Sequence, residues 1–549
     1  MATCRAISAM TETSLPVIFY ERLVRRITLY SLGRASFGFN RFGPMIIVLL
    51  ALCSSAAAQT PTRGLSLADA IESTLRENPQ LKLQQEQVEF NRGSVLRAQS
   101  QFDRVIGAGA SSGRVYQPLD ELQRTVYGLI STTTNTTSID AEASQQLRNG
   151  ITVTPMLTIT RLTDNLASQD GLNQGHLGIQ VNVPLLRGRG RSVVTANETA
   201  SGVELEASLL DLNQAISNLL FNTATAYWSA VAAERTLDVA KEAEARGKLL
   251  LETVQTLVDA DRNPRSDLSD VQANLADRTA TRIGAEQQLF QANQQLALAM
   301  GLSADKVAAI ANPADPLPSV ARIEMIPSDP QLAIARAFER RADYLAAKKR
   351  QGEADILASA AKNQLKPQLD LQLNTGFSGL RGGRRPDEFV ISPVSGVHGV
   401  DATAGLRYQF PIENRAAEAN VVQTRSAASA AAYRIQDTAR SISSSVLVAM
   451  EGVRAAIQQL AMVNRSVEYS QTALENQAEK YRLGVGSLVE VLTVEDRLTT
   501  ALGNQVQAEL GYALAVARLR QATGTIVEPD KPVQAIDPSI FVRPPELTK

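Results

Sequence analysis

The chain has 549 residues, 44% hydrophobic, 20% charged and only 5% aromatic, with a formal net charge of -1. Near-neutral charge argues against a general nucleic-acid or polybasic membrane binder. A mean hydropathy of -0.10, with a longest apolar run of about nine residues, excludes a polytopic helical membrane protein. Two histidines and two cysteines leave little for zinc sites or Cys/His catalysis. A transmembrane β-barrel stays open, because alternating strands barely raise mean hydropathy.

The N-terminal stretch carries Arg22, Arg25, Arg26, Arg34 and Arg41, then the apolar run from Met45 to Leu52, then Ser54, Ser55, Ala56, Ala57 and Ala58. That order of charged, apolar and small residues predicts a Sec-type secretory signal over residues 1–58, cut before Gln59. A membrane anchor would need about 20 apolar residues. Lipidation at Cys53 is not expected, since Leu52 stands where a small residue is required. Cys4 and Cys53 both precede the cut, so disulfides would contribute nothing to the mature chain.

Residues 67–101 have helical spacing, with Ser66 placed to cap the start and Asn78-Pro79 to interrupt it. Alternating strands follow at 105–110, 139–146, 151–160 and 177–183, and Asn149-Gly150 reads as a hairpin turn. No proline occurs between Pro184 and Pro264, and Leu205, Leu209, Leu212, Ile216 and Leu219 mix three- and four-residue steps. This predicts one very long, coiled-coil-like helix of on the order of 90 Å. A turn at Asn263-Pro264 leads to a return helix over 266–300.

The plan then repeats. A Pro-rich linker over 303–330 is followed by a helix over 332–364, strands at 368–377 and 402–410, a proline-free helix over 415–481, and a return helix over 487–523. Pro79 registers with Ala342 (342 − 79 = 263), Pro184 with Pro411 (411 − 184 = 227), and Gly301 with Gly524 (524 − 301 = 223). A duplication is the economical reading. The expected units are a first repeat over 59–302, a second over 331–524 and a tail over 525–549. The drop from 263 to 227 places an excess of 36 residues in the Thr/Ser/Asn-rich stretch 115–175, expected as a surface-loop insertion.

Three stretches in order carry a family likeness: Leu65–Leu81 with its Glu77-Asn78-Pro79, Val183-Pro184-Leu185-Leu186-Arg187-Gly188, and Tyr481-Arg482-Leu483-Gly484-Val485-Gly486-Ser487 through Leu492. With these, the chain resembles TolC-type outer-membrane efflux proteins over essentially all of the mature sequence. The resemblance implies a mainly α fold with a shared transmembrane β-barrel. Long α-helical hairpins would form a periplasmic tunnel, and each protomer of a homotrimer would give four strands to a 12-stranded barrel. Strands too few to close alone, with edges lipid does not tolerate, agree that several chains must share one barrel.

The resemblance also implies roles for residues. Asp267 and Glu490, just past the two helix tips, would ring a periplasmic aperture, with Tyr481 as a gating residue; each also fits a helix-start acid or a packing residue. Asn263, Pro264, Gly484 and Gly486 would shape the tips for adaptor docking, and glycine supplies the positive φ such reversals need. Gly486 stands where some members carry a bridging arginine, so a closed-state lock would fall to Arg262, Arg265 or Arg482. Pro184 and Pro411 would turn strand into helix. His176 and His398 read as isolated surface residues, and Tyr227 and Trp228 as core. No metal or nucleotide motif is present, so no enzyme activity, cofactor or metal is expected. The expected role is an exit duct in the cell outer membrane, reaching into the periplasm and fed by a periplasmic adaptor and inner-membrane pump. The alternatives are the duct of type I protein secretion and a periplasmic coiled-coil adaptor or scaffold.

Overall fold

The computed structural model describes residues 64–166, 169–307, 310–318, 329–527 and 537–545. The expected secretory signal, Cys53 and much of the Pro-rich linker lie outside the described residues. Helix α1 (Leu67–Glu77) starts at a capping box in which Asp69 N donates to Ser66 Oγ and Ser66 N to Asp69 Oδ2. Asn78 ends α1 and begins α2 (Pro79–Gln99), accepting a bond from Gln80 N. The chain continues through β1 (Val105–Pro118), α3 (Glu121–Tyr127), β2 (Ser131–Gln146), β3 (Thr152–Asp164), β4 (Leu172–Pro184) and the short α4 (Arg191–Val194). Helix α5 (Ala196–Asp259) then runs for 64 residues, about 96 Å at 1.5 Å each. From about Thr223 onward it is paired with α6 (Arg265–Met300), whose Ala299 O accepts from Thr223 Oγ1, and α6 leads to the short α7 (Ala304–Val307).

The second half repeats this order with α8 (Pro330–Arg340), α9 (Ala342–Asn363), β5 (Gln368–Gly382), α10 (Pro386–Val390), β6 (Val397–Gln409), the 68-residue α11 (Arg415–Arg482) and α12 (Leu488–Ala522). The repeat holds in detail. The backbone breaks at Arg341, with ψ 118, as it does at Asn78, with ψ 120, although no proline marks the second break. Each return helix ends on a left-handed glycine, Gly301 at φ +75 and Gly524 at φ +66. A Cβ on Gly301 would lie 2.4 Å from Asn78 Cα, and one on Gly524 would lie 3.1 Å from Arg341 N. Each glycine is therefore required both by its φ and by its seat against the helix break of its own repeat.

Two apolar clusters hold the helices together. In the first, Leu219, Leu220 and Trp228 of α5 meet Leu67 and Ile71 of α1 and Leu296 of α6. The Tyr227 hydroxyl is satisfied there by Leu65 O at 2.9 Å and Asp315 at 2.8 Å, so both aromatics are core, as expected. In the second, Ile442, Val446, Met450 and Val453 of α11 pack on Ala333 and Ala337 of α8 and on Tyr512 and Val516 of α12. Helix α11 also contains the one stretch, among the described residues, apolar and long enough to cross a membrane. A third of that stretch is buried, its inward residues Val446, Met450 and Val453 belonging to this cluster, while Leu447, Val448 and Met462 are exposed. At about 102 Å the helix is more than three times the thickness of a hydrocarbon layer.

The strands form one antiparallel sheet in the order β1-β2-β3-β4-β5-β6. This corrects two expectations. The described residues carry six strands, the number of alternating stretches in the sequence, where the resemblance implied four per protomer, and the Thr/Ser/Asn-rich excess is not a surface loop but the hairpin β2–β3 within the sheet. Its turn is where Asn149-Gly150 predicts it, with Leu147 N donating to Ile151 O at 2.8 Å. Composition misleads here because threonine is polar yet β-branched and suits a pleated wall. The register places Leu157, Leu177, Phe377 and Val400 in one row across four strands. On the same face stand Ile139 and Ala141 of β2 and Leu371 and Leu406 of β5 and β6, an apolar belt. The opposite face carries Asp140, Glu142, Gln180, Asn374, Thr403 and Arg407. The connector holding α10 folds back over the sheet, with Pro393 seated where side chains on Gly175 or Gly379 would stand.

Candidate functional site

The two helix tips come together. The first turn reverses through Asp261, held at φ 54, and through Arg262 N donating to Leu257 O at 2.9 Å; Pro264 then precedes α6. The second reverses at Gly484, φ +79, with Val485 N donating to Lys480 O at 3.0 Å. Gly486, contrary to expectation, is not at positive φ; it seats the chain closely, since a Cβ there would lie 3.1 Å from Tyr481 N. Val254, Val271 and Leu488 pack between the tips, with Tyr481 and Leu492 against them. The turns thus differ in chemistry while their helices share one small apolar cluster.

Asn263 joins the hairpins. Its Nδ2 donates to Tyr481 Oη at 2.9 Å and to Asp267 Oδ2 at 3.0 Å. The half-buried Tyr481 phenol is pushed above its usual range by burial and by the nearby Asp267 charge, while the bond from Asn263 opposes the shift. Three of the residues singled out in the sequence, Asn263, Asp267 and Tyr481, are therefore one hydrogen-bonded group. Glu490 stands apart from it. Its carboxylate closes a capping box with Ser487, accepting from Ser487 N at 3.2 Å and from Gln477 Nε2 at 2.6 Å. Of the expected lock arginines, Arg482 pairs with Glu479 of its own helix at 2.9 Å. Neither Arg262 nor Arg265 has an ion pair among the described residues.

A stronger link between the hairpins lies about 17 Å along α6 from Asp267. Arg278 of α6 is buried and donates to Glu495 of α12 at 2.5 Å, to Asp496 at 3.2 Å and to Ala243 O of α5 at 3.0 Å. Arg246 of α5 also reaches Glu495, at 3.1 Å. Beside them Glu244 pairs with Arg282 at 2.7 Å and with Lys248 at 2.9 Å. One buried carboxylate therefore ties α12 to both helices of the first hairpin. Sequence reading missed this cluster because charges on long helices look like a solvated face. The available signal was Gly247, mid-helix on α5, where a Cβ would crowd Arg278 Cδ to 3.2 Å.

On the polar face of the sheet, His176 Nδ1 lies 3.0 Å from Ser378 Oγ and 3.5 Å from Asp401, and Ser378 also bonds Asp401. This corrects the reading of His176 as isolated; the β4–β5–β6 register brings the three together. His398 is exposed, with Nδ1 3.1 Å from Gly396 O. At the strand ends, Pro184 is the last residue of β4, and Pro411 lies just past β6, before α11. Arg187 is held by Gln368 at 2.6 Å.

A sheet apolar on one face and polar on the other, open at both edges and continuous with two hairpins whose long helices reach about 100 Å, defines a barrel-and-tunnel channel fold. The sequence profile of the outer membrane efflux protein family matches residues 333–525. Outer membrane protein TolC of Vibrio cholerae is 25% identical over 313 residues, 57% of this chain and 69% of that protein. Among solved structures, the outer-membrane channel OprN superposes with a TM-score of 0.63 at 17% identity, over 84% of this chain and 90% of that one. The Campylobacter jejuni CmeC outer membrane channel gives 0.62 at 15% identity, over 85% and 87%. VceC of Vibrio cholerae gives 0.60 at 16% identity, over 83% and 96%. The resemblance to TolC-type outer-membrane efflux proteins is thus carried by the family profile in the second half, by a sequence match over 57% of the chain, and by fold over more than four fifths of it. This is a family of channel proteins rather than enzymes.

Proposed function

We propose that the protein is the trimeric outer-membrane exit duct of a tripartite efflux system, accepting small molecules from a periplasmic adaptor and inner-membrane pump and performing no chemistry. The observation that carries this reading is the two-faced sheet continuous with two long hairpins: one face suits lipid, the other suits water, and the helices have the reach to cross a periplasm. Asn263, Asp267 and Tyr481 would form the gated periplasmic end, where three Asp267 carboxylates around one axis would favour cation entry. Opening would slide the second hairpin against the first, breaking the Asn263–Tyr481 bond, while the barrel stays rigid. Pro184 and Pro411 would redirect tilted strands into steep helices, and Gly484, Gly486, Asn263 and Pro264 would present the tips to the adaptor.

Membrane fractionation, a heat-modifiability gel and planar-bilayer recording test the reading together. A heat-sensitive oligomer in the outer-membrane fraction that forms ion-conducting pores is the expected result. A monomeric product in the periplasm that inserts no pores would reject the duct and leave the adaptor or scaffold alternative. Copurification with an ATP-driven exporter and its secreted protein would move the assignment to type I secretion.

A further inference from the structure

We propose that all six strands enter the membrane wall, so that three copies close an 18-stranded barrel, with a ring of carboxylates from the β2–β3 hairpin lining its lumen. The number of copies rests on the trimeric duct reading; the six strands per copy do not.

The internal repeat marks the hairpin as added. Strand β1 begins where β5 begins under the offset of 263 (368 − 105), and β4 ends on the proline that registers with Pro411. Strands β2 and β3 therefore lie between two strands that have counterparts, and they have none themselves. An added pair leaves the up-and-down alternation intact, so β1 and β4 keep the directions of β5 and β6.

The hairpin is built into the sheet. Strand β1 pairs with β2 over its whole length, from Val105 opposite Ser144 to Pro118 opposite Ser131, and β4 takes β3 and β5 as its two neighbours. A flap lying outside the wall would leave β1 free to pair with β4. The apolar belt also crosses the hairpin without a gap. Ile139 stands between Ala110 and Ile159, and Ala141 between Ala108 and Leu157. The intervening residues Asp140 and Glu142 point to the polar face, over two glycines of β1. A Cβ on Gly109 would lie 2.7 Å from Asp140 Oδ2, and one on Gly107 would lie 3.4 Å from Glu142 Cγ. Carboxylates at 140 and 142, alternating with Ile139, Ala141 and Ala143, fit a wall with lipid on one side and water on the other.

The edges require copies of the same chain. Strands β1 and β6 each present one unpaired side, and unpaired backbone groups in hydrocarbon cost several kcal/mol each. Six strands fall short of the eight in the smallest barrels. Because the number is even, β6 of one copy meets β1 of the next in antiparallel sense, and the ring closes. At a spacing of about 4.8 Å and a tilt of about 40°, twelve strands give a backbone diameter of about 24 Å and eighteen about 36 Å. The wider barrel would not select cargo by size. Its lumen would hold six additional carboxylates, from Asp140 and Glu142 of each copy, favouring cationic solutes.

Native mass measurement and electron cryomicroscopy of the purified particle are the test. Three copies and eighteen strands are expected. Three copies with twelve strands would overturn the proposal and leave the duct reading intact. A different copy number would reject the trimer, and the proposal would then stand or fall on whether the strand number is six times that count. A second measurement needs no high-resolution map. Bimane placed on single cysteines at 139, 140, 141 and 142 should lose fluorescence to brominated lipid at 139 and 141 and keep it at 140 and 142. Equal quenching at all four positions, or none at any, would place the hairpin outside the wall.

Discussion

Replacing Glu495 by alanine removes the carboxylate that holds Arg278 at 2.5 Å and Arg246 at 3.1 Å. The Arg278 and Glu495 side chains are only 8% and 4% exposed, so little water screens their attraction or rescues the guanidinium left behind. Removing one member of such a buried pair costs about 3–5 kcal/mol. Arg246 is 29% exposed and recovers solvent, and Asp496 still faces Arg278, so the lower end applies, about 3 kcal/mol. At 1.36 kcal/mol per factor of ten, local opening of α12 becomes about 150 times more frequent. Hydrogen–deuterium exchange of peptides covering 488–508, under conditions where exchange reports the opening equilibrium, reads this directly. The double replacement Arg278→Met with Glu495→Leu should restore slow exchange, because a packed apolar pair substitutes for a buried ion pair at little or no cost. Less than a tenfold change in Glu495→Ala, or equally fast exchange in the double variant, would refute the reasoning.

Asn263→Ala removes the amide shared by Asp267 and Tyr481; about 1 kcal/mol of tip stability should be lost, seen as faster exchange at residues 481–487. The same change takes away the bond that favours the phenolate, so Tyr481 should titrate still higher by absorbance at 295 nm, with Tyr481→Phe as the blank. In the parent protein the raised Tyr481 pKa means its contribution is full below about pH 10, the ordinary phenol value, and is lost as pH rises through the folded-state value. Tip stability should therefore fall above pH 10 in the parent relative to Tyr481→Phe. Gly484→Ala forces an L-residue to φ +79 and should cost about 1–2 kcal/mol, measured as a lower thermal midpoint of the helical signal. Asp267→Asn should weaken cation selectivity more than Glu490→Gln, because the Glu490 carboxylate is engaged by Ser487 and Gln477; equal shifts in reversal potential would reject that ranking.

Sequence by itself determined what is local or periodic. The long helices follow from proline-free, Ala/Leu-rich stretches with three- and four-residue spacing, and the break at Asn78 from an Asn-Pro step. The turn at Asn149-Gly150 and the reversal at Gly484 follow from residues that adopt positive φ. The capping box of Ser487 and Glu490 was also legible, as Ser-x-x-Glu before an apolar run. Tertiary structure alone decided what depends on partners distant in the chain. The break at Arg341 has no proline to announce it and is matched by the seat of Gly524. Asn263 meets Tyr481 across 218 residues, and Arg278 meets Glu495 across 217, because two hairpins pack side by side. The β2–β3 hairpin was legible as two alternating stretches about Asn149-Gly150, but its place within the sheet was not, because a threonine-rich segment is polar by count and reads as a surface insertion. A strand that faces both lipid and water needs only every second residue apolar, and which residues share that face is settled by the neighbouring strands.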